Sequence, residues 1–229
     1  MKEVSNMNWH SDEVYNYEAK IPLKVPGYDV LYKMMNHLMS VYVSSENKHI
    51  HMLIVGAGGG QELITLGNIN KGWAFTGVDP SIKMLRIAQK RTKKAGINAT
   101  FIHGEVESIT GKFTGATCML VLHFLKEAEQ EKLLKEISER LKSGAPLFVA
   151  SIVGEKRREF RWQMKAWKAY MLSNEIPLEE WLNFEKSIDH TIHLISSAKM
   201  EHLLNKSGFT KVTKFYKGFF VEGWVGIKG

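Results

Sequence analysis

The sequence predicts an α/β fold in which a mostly parallel sheet of seven strands carries helices on both faces and ends in an antiparallel C-terminal strand. Three observations predict it. Apolar runs of strand length alternate with segments of helical periodicity between residues 50 and 152. Most of these runs are apolar throughout, as expected of parallel strands buried on both faces. Two further strand-like runs, 210–216 and 219–227, meet near Lys217-Gly218 and form an antiparallel pair that closes the sheet.

Residues 1–45 are expected to form a helical cap within a single domain that spans residues 1–229. The first 25 residues are polar and aromatic and show little periodicity. A turn at Pro26-Gly27 is followed by a helical pattern of apolar residues, which runs through Val30, Leu31, Met34, Leu38 and Tyr42.

Residues 46–152 contain five of the seven strands and are expected to be the cofactor-binding core. The strands are predicted at 51–55, 73–78, 100–103, 116–122 and 146–152. One of the helices between them begins after Ser81, whose hydroxyl can cap it, and ends at Gly96. Another helix, at 127–142, has leucine and isoleucine on one face.

The last third of the chain is predicted to differ from the core. Residues 153–195 form a helical lid insertion, and residues 196–229 form a terminal helix followed by the strand pair. Within the insertion, four residues have the spacing of one helical face, namely Phe160, Met164, Trp167 and Met171. Pro177 begins a second helix.

Composition limits the possible settings and partners. The 31 Lys and Arg against 24 Asp and Glu give a net charge of +7. This charge can attract an anionic partner such as nucleic acid, or it can belong to an ordinary solvated surface. Cys118 is the single cysteine, so neither an intrachain disulfide nor a cysteine metal cluster is possible, and no metal site is expected. No apolar run approaches the ~20 residues of a membrane span, and the first residues lack a signal-peptide core. We therefore expect a cytoplasmic protein with no membrane partner.

A glycine-rich turn directly follows the first predicted strand. Gly56, Gly58 and Gly60, with Ala57 between the first two, allow positive φ angles and close approach of a ligand to the backbone. The helix that starts behind the turn offers unpaired N–H groups to an anionic group. A dinucleotide-binding turn requires a third glycine where this chain has Gln61, so a nicotinamide cofactor is disfavoured.

Polar residues also follow the second and third strands. Asp79, with Pro80 after it, ends the second strand, where a carboxylate can bind both hydroxyls of a ribose or simply start a turn. Met84 lies in the next helix. After the third strand, the Glu105 carboxylate can accept a hydrogen bond from an adenine amino group and the Val106 N–H can donate to the ring, although an exposed glutamate there is ordinarily solvated.

The order and spacing of these motifs resemble those of class I S-adenosylmethionine-dependent methyltransferases. The resemblance covers residues 50–152 and also includes the segments 120–125 and 141–144. It implies a Rossmann-like fold, S-adenosylmethionine as the cofactor and transfer of its methyl group. The residues that the resemblance and the motifs together assign to the cofactor are Tyr28, Gly56, Ala57, Gly58, Gly60, Asp79, Pro80, Met84, Glu105 and Val106.

Within that class, the chain is most similar to the carboxy-S-adenosylmethionine synthase family of the tRNA wobble-uridine pathway. The shared segment Val25-Pro-Gly-Tyr28 implies that Tyr28 contacts the cofactor, whereas it can also pack a turn against the sheet. Three departures stand against carboxyl transfer. Ile54 replaces the family's acidic residue at the end of strand one, Met119 replaces an asparagine in strand four, and Glu185-Lys186 lies where the family has an arginine for its carboxylated substrate.

His123, after the fourth strand, is the candidate general base, although a structural histidine in this loop is the alternative. The amino-terminal segment and the insertion are expected to build the acceptor pocket with their aromatic residues, or to pack on the core. These aromatic residues are Trp9, Tyr15, Tyr17, Trp162, Trp167, Tyr170 and Trp181. A basic face of the insertion helix can contact phosphates or solvent; it comprises Lys156, Arg157, Arg158, Arg161, Lys165 and Lys168.

Three functions remain open from the sequence. The first is a methyltransferase with a small-molecule acceptor of unknown identity. The second is an enzyme of tRNA modification, for which the positive charge and the synthase likeness argue. The third is a cofactor-binding protein without turnover, suggested by Ile54. An NAD-dependent oxidoreductase is the least favoured class, and the sequence leaves the oligomeric state open.

Overall fold

The computed structural model describes residues 17–43, 49–155 and 159–229, with the side chain of Tyr17 excepted. Seven strands form one sheet: β1 (His51–Val55), β2 (Ala74–Asp79), β3 (Ala99–His103), β4 (Gly115–Met119), β5 (Pro146–Ile152), β6 (Phe209–Gly218) and β7 (Val221–Lys228). Eight α-helices accompany them within the described residues: α1 (Tyr17–Lys24), α2 (Tyr28–Val43), α3 (Gln61–Ile69), α4 (Ile82–Ala95), α5 (Glu127–Glu139), α6 (Phe160–Ser173), α7 (Leu178–Ser187) and α8 (Ser197–Lys206).

The strands lie in the order β3-β2-β1-β4-β5-β7-β6. The first five are parallel, and β7 runs antiparallel to both β5 and β6. The predicted seven-stranded, mostly parallel sheet is therefore confirmed. Strand β2 lies on one side of β1 and β4 lies on the other, so the connections diverge at the carboxyl end of β1. Sheets of this kind bind ligands at such a point.

Strand β1 shows how the sheet separates two apolar layers. Met52 and Ile54 point into the layer formed with α2, α3 and α4, whereas Leu53 and Val55 point into the layer formed with α5 and α8. All four side chains are almost fully buried. Burial on both faces is the reason that this strand is apolar at successive positions rather than at alternate ones.

The caps predicted for α4 are confirmed. The Ser81 hydroxyl accepts a hydrogen bond from the Met84 N–H at 3.3 Å, and Gly96 ends the helix with a φ of +65°. This cap fixes the direction in which the chain leaves the end of β2.

The helix predicted from the pattern at residues 30–42 is confirmed as α2, but most residues of that pattern do not lie on its buried face. Leu31 is buried, but Val30, Met34 and Tyr42 are exposed, and the face that packs on the sheet instead carries Leu31, Tyr32, Met35, Asn36 and Met39. The helix is apolar on more than one side, so several stripes fit its sequence and tertiary packing selects among them.

The insertion packs on the core rather than standing apart from it. Met164, Trp167 and Met171 of α6 are buried in the same apolar layer as α2, as their spacing predicted. Trp167 also donates a hydrogen bond from Nε1 to the Lys24 carbonyl at the end of α1, at 2.8 Å. The insertion therefore supports α1. None of the described helices combines the length and apolarity needed to cross a membrane.

Candidate active site

A cavity of about 270 Å³ opens at the carboxyl ends of β1, β2 and β4. Three loops that follow these strands form its floor, and residues of α1, α2 and α3 form its walls. Its lining consists of Glu18, Ile21, Tyr28, Tyr32, Gly56, Ala57, Gly58, Gly59, Gln61, Glu62, Asp79, Pro80, Ser81, Met84, Met119, Leu120, Val121, Phe124 and Leu125. The cavity thus occupies the divergence point of the sheet.

The glycine turn needs its glycines for two different reasons. Gly56 and Gly58 have φ angles of +65° and +48°, which L side chains rarely adopt. A Cβ on Gly56 would also lie only 2.3 Å from Val121 Cγ2, across the cavity floor. Gly60 has a φ of +86°, and a Cβ there would meet the Ala88 backbone at 3.2 Å, so this glycine lets α3 pack against α4.

Asp79 ties the glycine turn to the end of β2. Its Oδ2 accepts a hydrogen bond from the Gly58 N–H and its Oδ1 accepts one from the Ser81 N–H, both at 2.8 Å. A carboxylate has about four acceptor positions and can therefore accept several hydrogen bonds at once. Since Asp79 also lines the cavity, its carboxylate can bind the hydroxyl groups of a ligand.

Helix α1 covers the glycine turn through an ion pair. The Glu18 carboxylate pairs with the Arg91 guanidinium, which also donates to the Gly59 carbonyl at 2.8 Å and to Gln61 Oε1 at 3.1 Å. Burial raises the pKa of Glu18 and the Arg91 charge opposes that rise. A Cβ on Gly59 would collide with the Glu18 carboxylate, so glycine at this position allows α1 to lie close.

Glu62, in the first turn of α3, is a buried carboxyl that faces the cavity. Its exposure is 3%, and burial raises its pKa to about 8. None of the ion pairs among the described residues includes it. The nearby Arg91 charge lowers its pKa and the Asp79 charge raises it, but burial dominates both. A cation placed in the cavity would therefore interact strongly with this carboxyl.

The structure brings together most of the residues predicted to bind the cofactor. Tyr28, Gly56, Ala57, Gly58, Asp79, Pro80 and Met84 line the cavity, and they come from four separate segments of the chain. The ring of Tyr28 packs against that of Tyr32, with 4.6 Å between centroids. Gly60 lies behind the cavity wall in the contact between α3 and α4.

Glu105 and Val106 do not line the cavity. Glu105 is exposed, and its carbonyl accepts a hydrogen bond from Ser108 Oγ at 2.6 Å. Val106 is buried in the apolar layer of α5 and α8. The predicted adenine contacts are thus absent from the cavity lining, because the loop after β3 turns into the opposite face of the sheet.

His123 lies outside the cavity lining as well, in a short 3-10 turn after β4. It is 3% exposed, and its Nδ1 accepts a hydrogen bond from the Ile152 N–H at 3.3 Å. Burial lowers its pKa to about 3. A base must reach the proton that it removes, so this position corrects the expectation of a general base and supports the structural alternative.

The aromatic residues of the insertion do not line the cavity either. Trp167 and Trp181 are buried in one aromatic cluster with Phe184, while Trp162 is 58% exposed. Trp9 and Tyr15 lie outside the described residues, as do Lys156, Arg157 and Arg158. Among the described residues, the aromatic residues of the insertion therefore pack on the core, which was the alternative expectation. The insertion contacts α1, which in turn lines the cavity.

Several lining residues were missed from the sequence. Glu18 lies in a segment without periodicity, so nothing in the pattern marks it. Glu62 has a usable signal, because it shares a helical face with the buried Leu66 one turn later. Leu120 was assigned to a strand, but it leaves β4 with a φ of +61°, a strained conformation for leucine that turns its chain toward the cavity.

Apart from the tyrosines, the described ionisable side chains that line the cavity are all carboxyl groups, of which Glu18 is paired with Arg91 and Glu62 has a pKa raised to about 8. Glu18, Glu62 and Asp79 are its acidic residues, and no described lysine, arginine or histidine is among the lining residues. The rest of the described lining is apolar, aromatic or uncharged polar. Such a cavity favours cationic or neutral ligands over anionic ones.

Residues 52–144 match the model of a family described as "Methyltransferase domain". The matched segment runs from β1 to the turn before β5 and includes the glycine turn and Asp79. The described cavity floor therefore lies largely within it.

Curated proteins resemble the chain over nearly its whole length. The carboxy-S-adenosyl-L-methionine synthase of Staphylococcus epidermidis is 25% identical over 217 residues, which are 93% of this chain and 92% of that protein. The protein of the same name from Campylobacter curvus is 21% identical over 203 residues, which are 88% of this chain and 86% of that protein.

Solved structures share the fold. The plantazolicin methyltransferase in complex with SAH superposes with a TM-score of 0.67 at 15% identity, over 96% of this chain and 93% of that chain. The magnesium protoporphyrin IX methyltransferase of Synechocystis PCC 6803 with bound SAM gives a TM-score of 0.59 at 14% identity, over 98% of this chain and all of that one. These likenesses show the architecture alone.

Proposed function

We propose that this chain, a class I S-adenosylmethionine-dependent methyltransferase, transfers the methyl group of its cofactor to a small acceptor that carries no negative charge. The observation on which this depends is the cavity at the ends of β1 and β2, where Asp79 is hydrogen-bonded to the glycine turn. The sign of the lining charges then restricts the acceptor.

The residues present fit the cofactor. Gly56 and Gly58 leave room where a Cβ would intrude, so the amino-acid part of the cofactor can lie on the backbone at the start of α3. Asp79 lines the cavity, where its carboxylate suits the hydroxyl groups of a ribose. Met84, which lines the same cavity beside Gly58, offers an apolar surface to the adenosyl part.

When bound, S-adenosylmethionine supplies a methyl group that its sulfonium already activates. The tasks left to this chain are to orient the acceptor and to exclude water. Tyr28, Tyr32 and Leu120 are uncharged residues of the cavity lining that suit these tasks. No base is required of the chain for an acceptor that is already a nucleophile.

The charges of the cavity support an uncharged or cationic acceptor. An anionic acceptor would enter a low-dielectric space beside the Asp79 carboxylate, and no lysine, arginine or histidine is among the described lining residues to compensate its charge. The same lining disfavours carboxyl transfer, because that reaction requires the cavity to hold a carboxylated substrate. Glu185 and Lys186, where the synthase family has its arginine, lie on α7 outside the cavity lining.

Calorimetry with S-adenosylmethionine and S-adenosylhomocysteine tests the cofactor assignment. We expect both to bind the wild-type protein, and we expect Asp79→Asn to weaken both roughly 100-fold, because a charged acceptor of two hydroxyl groups is lost. Asp189→Asn is the matched control, since Asp189 lies outside this cavity and asparagine tolerates its φ of +68°. Wild-type protein that binds neither compound would contradict the proposal.

A screen of acceptors, read by release of S-adenosylhomocysteine, tests the charge rule. Neutral and amine-bearing compounds are expected to be methylated in preference to their carboxylated analogues. Turnover with carboxylates alone would show that the described lining does not select the acceptor.

A function in tRNA modification is the second candidate, and the similarity to carboxy-S-adenosyl-L-methionine synthases over more than nine-tenths of the chain favours it. Incubation with the cofactor and a carboxylated donor, followed by mass spectrometry, would detect a carboxylated cofactor. Binding of tRNA that weakens steeply with salt would add support through phosphate contacts. No tRNA binding at low salt and no carboxylated product would leave methyl transfer to small molecules.

The cytoplasm is the compartment that fits this proposal. Cys118 is buried in β4, and burial raises the pKa of its thiol, so it stays reduced and unreactive. Cell fractionation with an antibody to the native protein tests the location. Recovery in a membrane or secreted fraction would contradict it.

A further inference from the structure

We propose that Glu62 binds the ammonium group of S-adenosylmethionine and so replaces an acidic residue at the end of β1, where this chain has Ile54. The proposal rests on the proposed function, because it requires that the cofactor occupies the cavity. It is carried by the position of one buried carboxyl relative to the start of α3.

The three carboxyl groups of the cavity are not equivalent. Glu18 is paired with Arg91, and Asp79 accepts hydrogen bonds from two backbone N–H groups. Glu62 is hydrogen-bonded by its own backbone N–H and forms no ion pair with another described residue, although it is 97% buried and lines the same space. A buried carboxyl that faces a ligand cavity is stabilised most by a ligand that brings a positive charge.

The position of Glu62 selects which positive charge it meets. The cofactor carries an ammonium group next to its carboxylate and a sulfonium farther along the chain. The backbone N–H groups at the start of α3 favour the carboxylate. Glu62 follows the cap residue Gly60 by two positions, within the same helical turn. The ammonium, which shares a carbon with that carboxylate, is thus the cation that lies nearest Glu62.

At the end of β1 the chain offers no alternative. Ile54 is fully buried in the apolar layer beneath the cavity and is not among the lining residues. In this chain the acidic residue lies in the first turn of α3, after the glycine turn, and not in β1 before it.

Three ligands distinguish this role from the alternatives. S-adenosylmethionine carries both cations, S-adenosylhomocysteine carries only the ammonium, and 5′-methylthioadenosine carries neither. We expect Glu62→Gln to weaken the first two by about 10- to 100-fold, as loss of a charged hydrogen bond implies, and the third by less than about threefold. Glu179→Gln, in the first turn of α7, is the matched control and is expected to leave all three affinities unchanged.

The outcomes separate cleanly. Weakening of S-adenosylmethionine alone would assign Glu62 to the sulfonium and overturn the proposal. Equal weakening of all three ligands would reduce Glu62 to a structural residue and overturn it as well. Failure of the proposed function is a different result, because wild-type protein would then bind neither S-adenosylmethionine nor S-adenosylhomocysteine.

A second measurement needs no variant and so does not depend on folding of Glu62→Gln. The groups around Glu62 are Asp79 at the end of β2, Arg91 on α4, Cys118 on β4 and Glu18 on α1. With its pKa at about 8, Glu62 is mostly protonated at pH 7 and must lose that proton to pair with an ammonium. Calorimetry in buffers of different ionisation enthalpy should show release of about 0.9 proton per S-adenosylmethionine at pH 7, and a smaller release at pH 8, where less of Glu62 is protonated.

5′-Methylthioadenosine should release no comparable proton, because it gives Glu62 no cation to meet. Equal proton release by the two ligands, or none by either, would contradict the pairing.

Discussion

His123 is a buried histidine whose imidazole helps to hold the end of β5. Its Nδ1 accepts the Ile152 N–H, and Ser151 Oγ lies 3.4 Å from the same nitrogen. With no room for water around it, the neutral ring is favoured strongly over the charged one. Protonation of His123 therefore affects the stability of the fold, and the residue takes no part in chemistry in the cavity.

The first prediction concerns the pH dependence of that stability. The pKa of His123 is about 3 in the folded protein and 6.5 in the unfolded chain, so its contribution is complete above pH 6.5 and is lost as the pH falls toward 3. Between pH 6.5 and pH 5 the wild type should lose roughly 2 kcal/mol that His123→Asn does not lose. Asparagine keeps an acceptor for the Ile152 N–H. Urea unfolding at both pH values measures the difference.

The same variant tests the discarded role. We expect His123→Asn to retain methyl transfer at pH 8 together with cofactor affinity. Loss of turnover with unchanged affinity would restore His123 as the general base.

Residue roles could be predicted from the sequence where the backbone alone determines them. Asp79 and the positive-φ glycines follow from the ends of strands and the geometry of a turn. Glu62 and His123 could not be assigned, because their roles depend on which side of the sheet buries them. That depends on the fold as a whole.

At the scale of elements, the glycine turn is subject to two constraints, a positive φ angle and a lack of space for a Cβ, and substitutions can separate them. Gly56 and Gly96 share a φ of +65°, but only Gly56 has a neighbour in the space that a Cβ would fill. The strain of an L residue at that φ is therefore common to both, and the steric conflict with Val121 belongs to Gly56 alone.

The second prediction follows from this comparison. Gly96→Ala should lower the free energy of unfolding by about 1 kcal/mol, from backbone strain. Gly56→Ala should cost at least about 2 kcal/mol more and should also weaken S-adenosylmethionine, because the turn must shift away from Val121 Cγ2. Addition of Val121→Ala should recover part of the stability. Equal losses for the two single variants, measured by thermal and urea unfolding, would refute the steric argument.

The elements themselves were predictable to the extent that their pattern was unambiguous. The five parallel strands are apolar and short, and the ends of α4 carry a serine and a glycine with specific capping roles. The buried face of α2 could not be predicted, since Val30 and Met34 are as apolar as the buried Met35 and Met39. A pattern fixes a helical face only when the other faces are polar.

At the scale of the whole molecule, the insertion acts on the cavity through α1. Glu180 of α7 pairs with Lys20 and Lys24 at 2.6 Å each, and Trp167 of α6 donates to the Lys24 carbonyl. At the other end of α1, Glu18 closes on Arg91 above the glycine turn. The sequence could not predict this chain of contacts, because it joins residues far apart that share no pattern.

The last prediction tests whether α6 holds the cavity wall. Trp167→Phe keeps an aromatic ring in the cluster but removes the Nε1 donor to Lys24, at a cost of about 1 kcal/mol. A looser α1 opens the cavity more often, so S-adenosylmethionine should dissociate severalfold faster while its association rate changes little. Stopped-flow displacement measures both rates. Trp162→Phe is the matched control on the same helix, because Trp162 is 58% exposed and lies outside the cavity lining. If the two variants release the cofactor equally fast, α1 does not depend on α6 and the insertion has no part in closing the cavity.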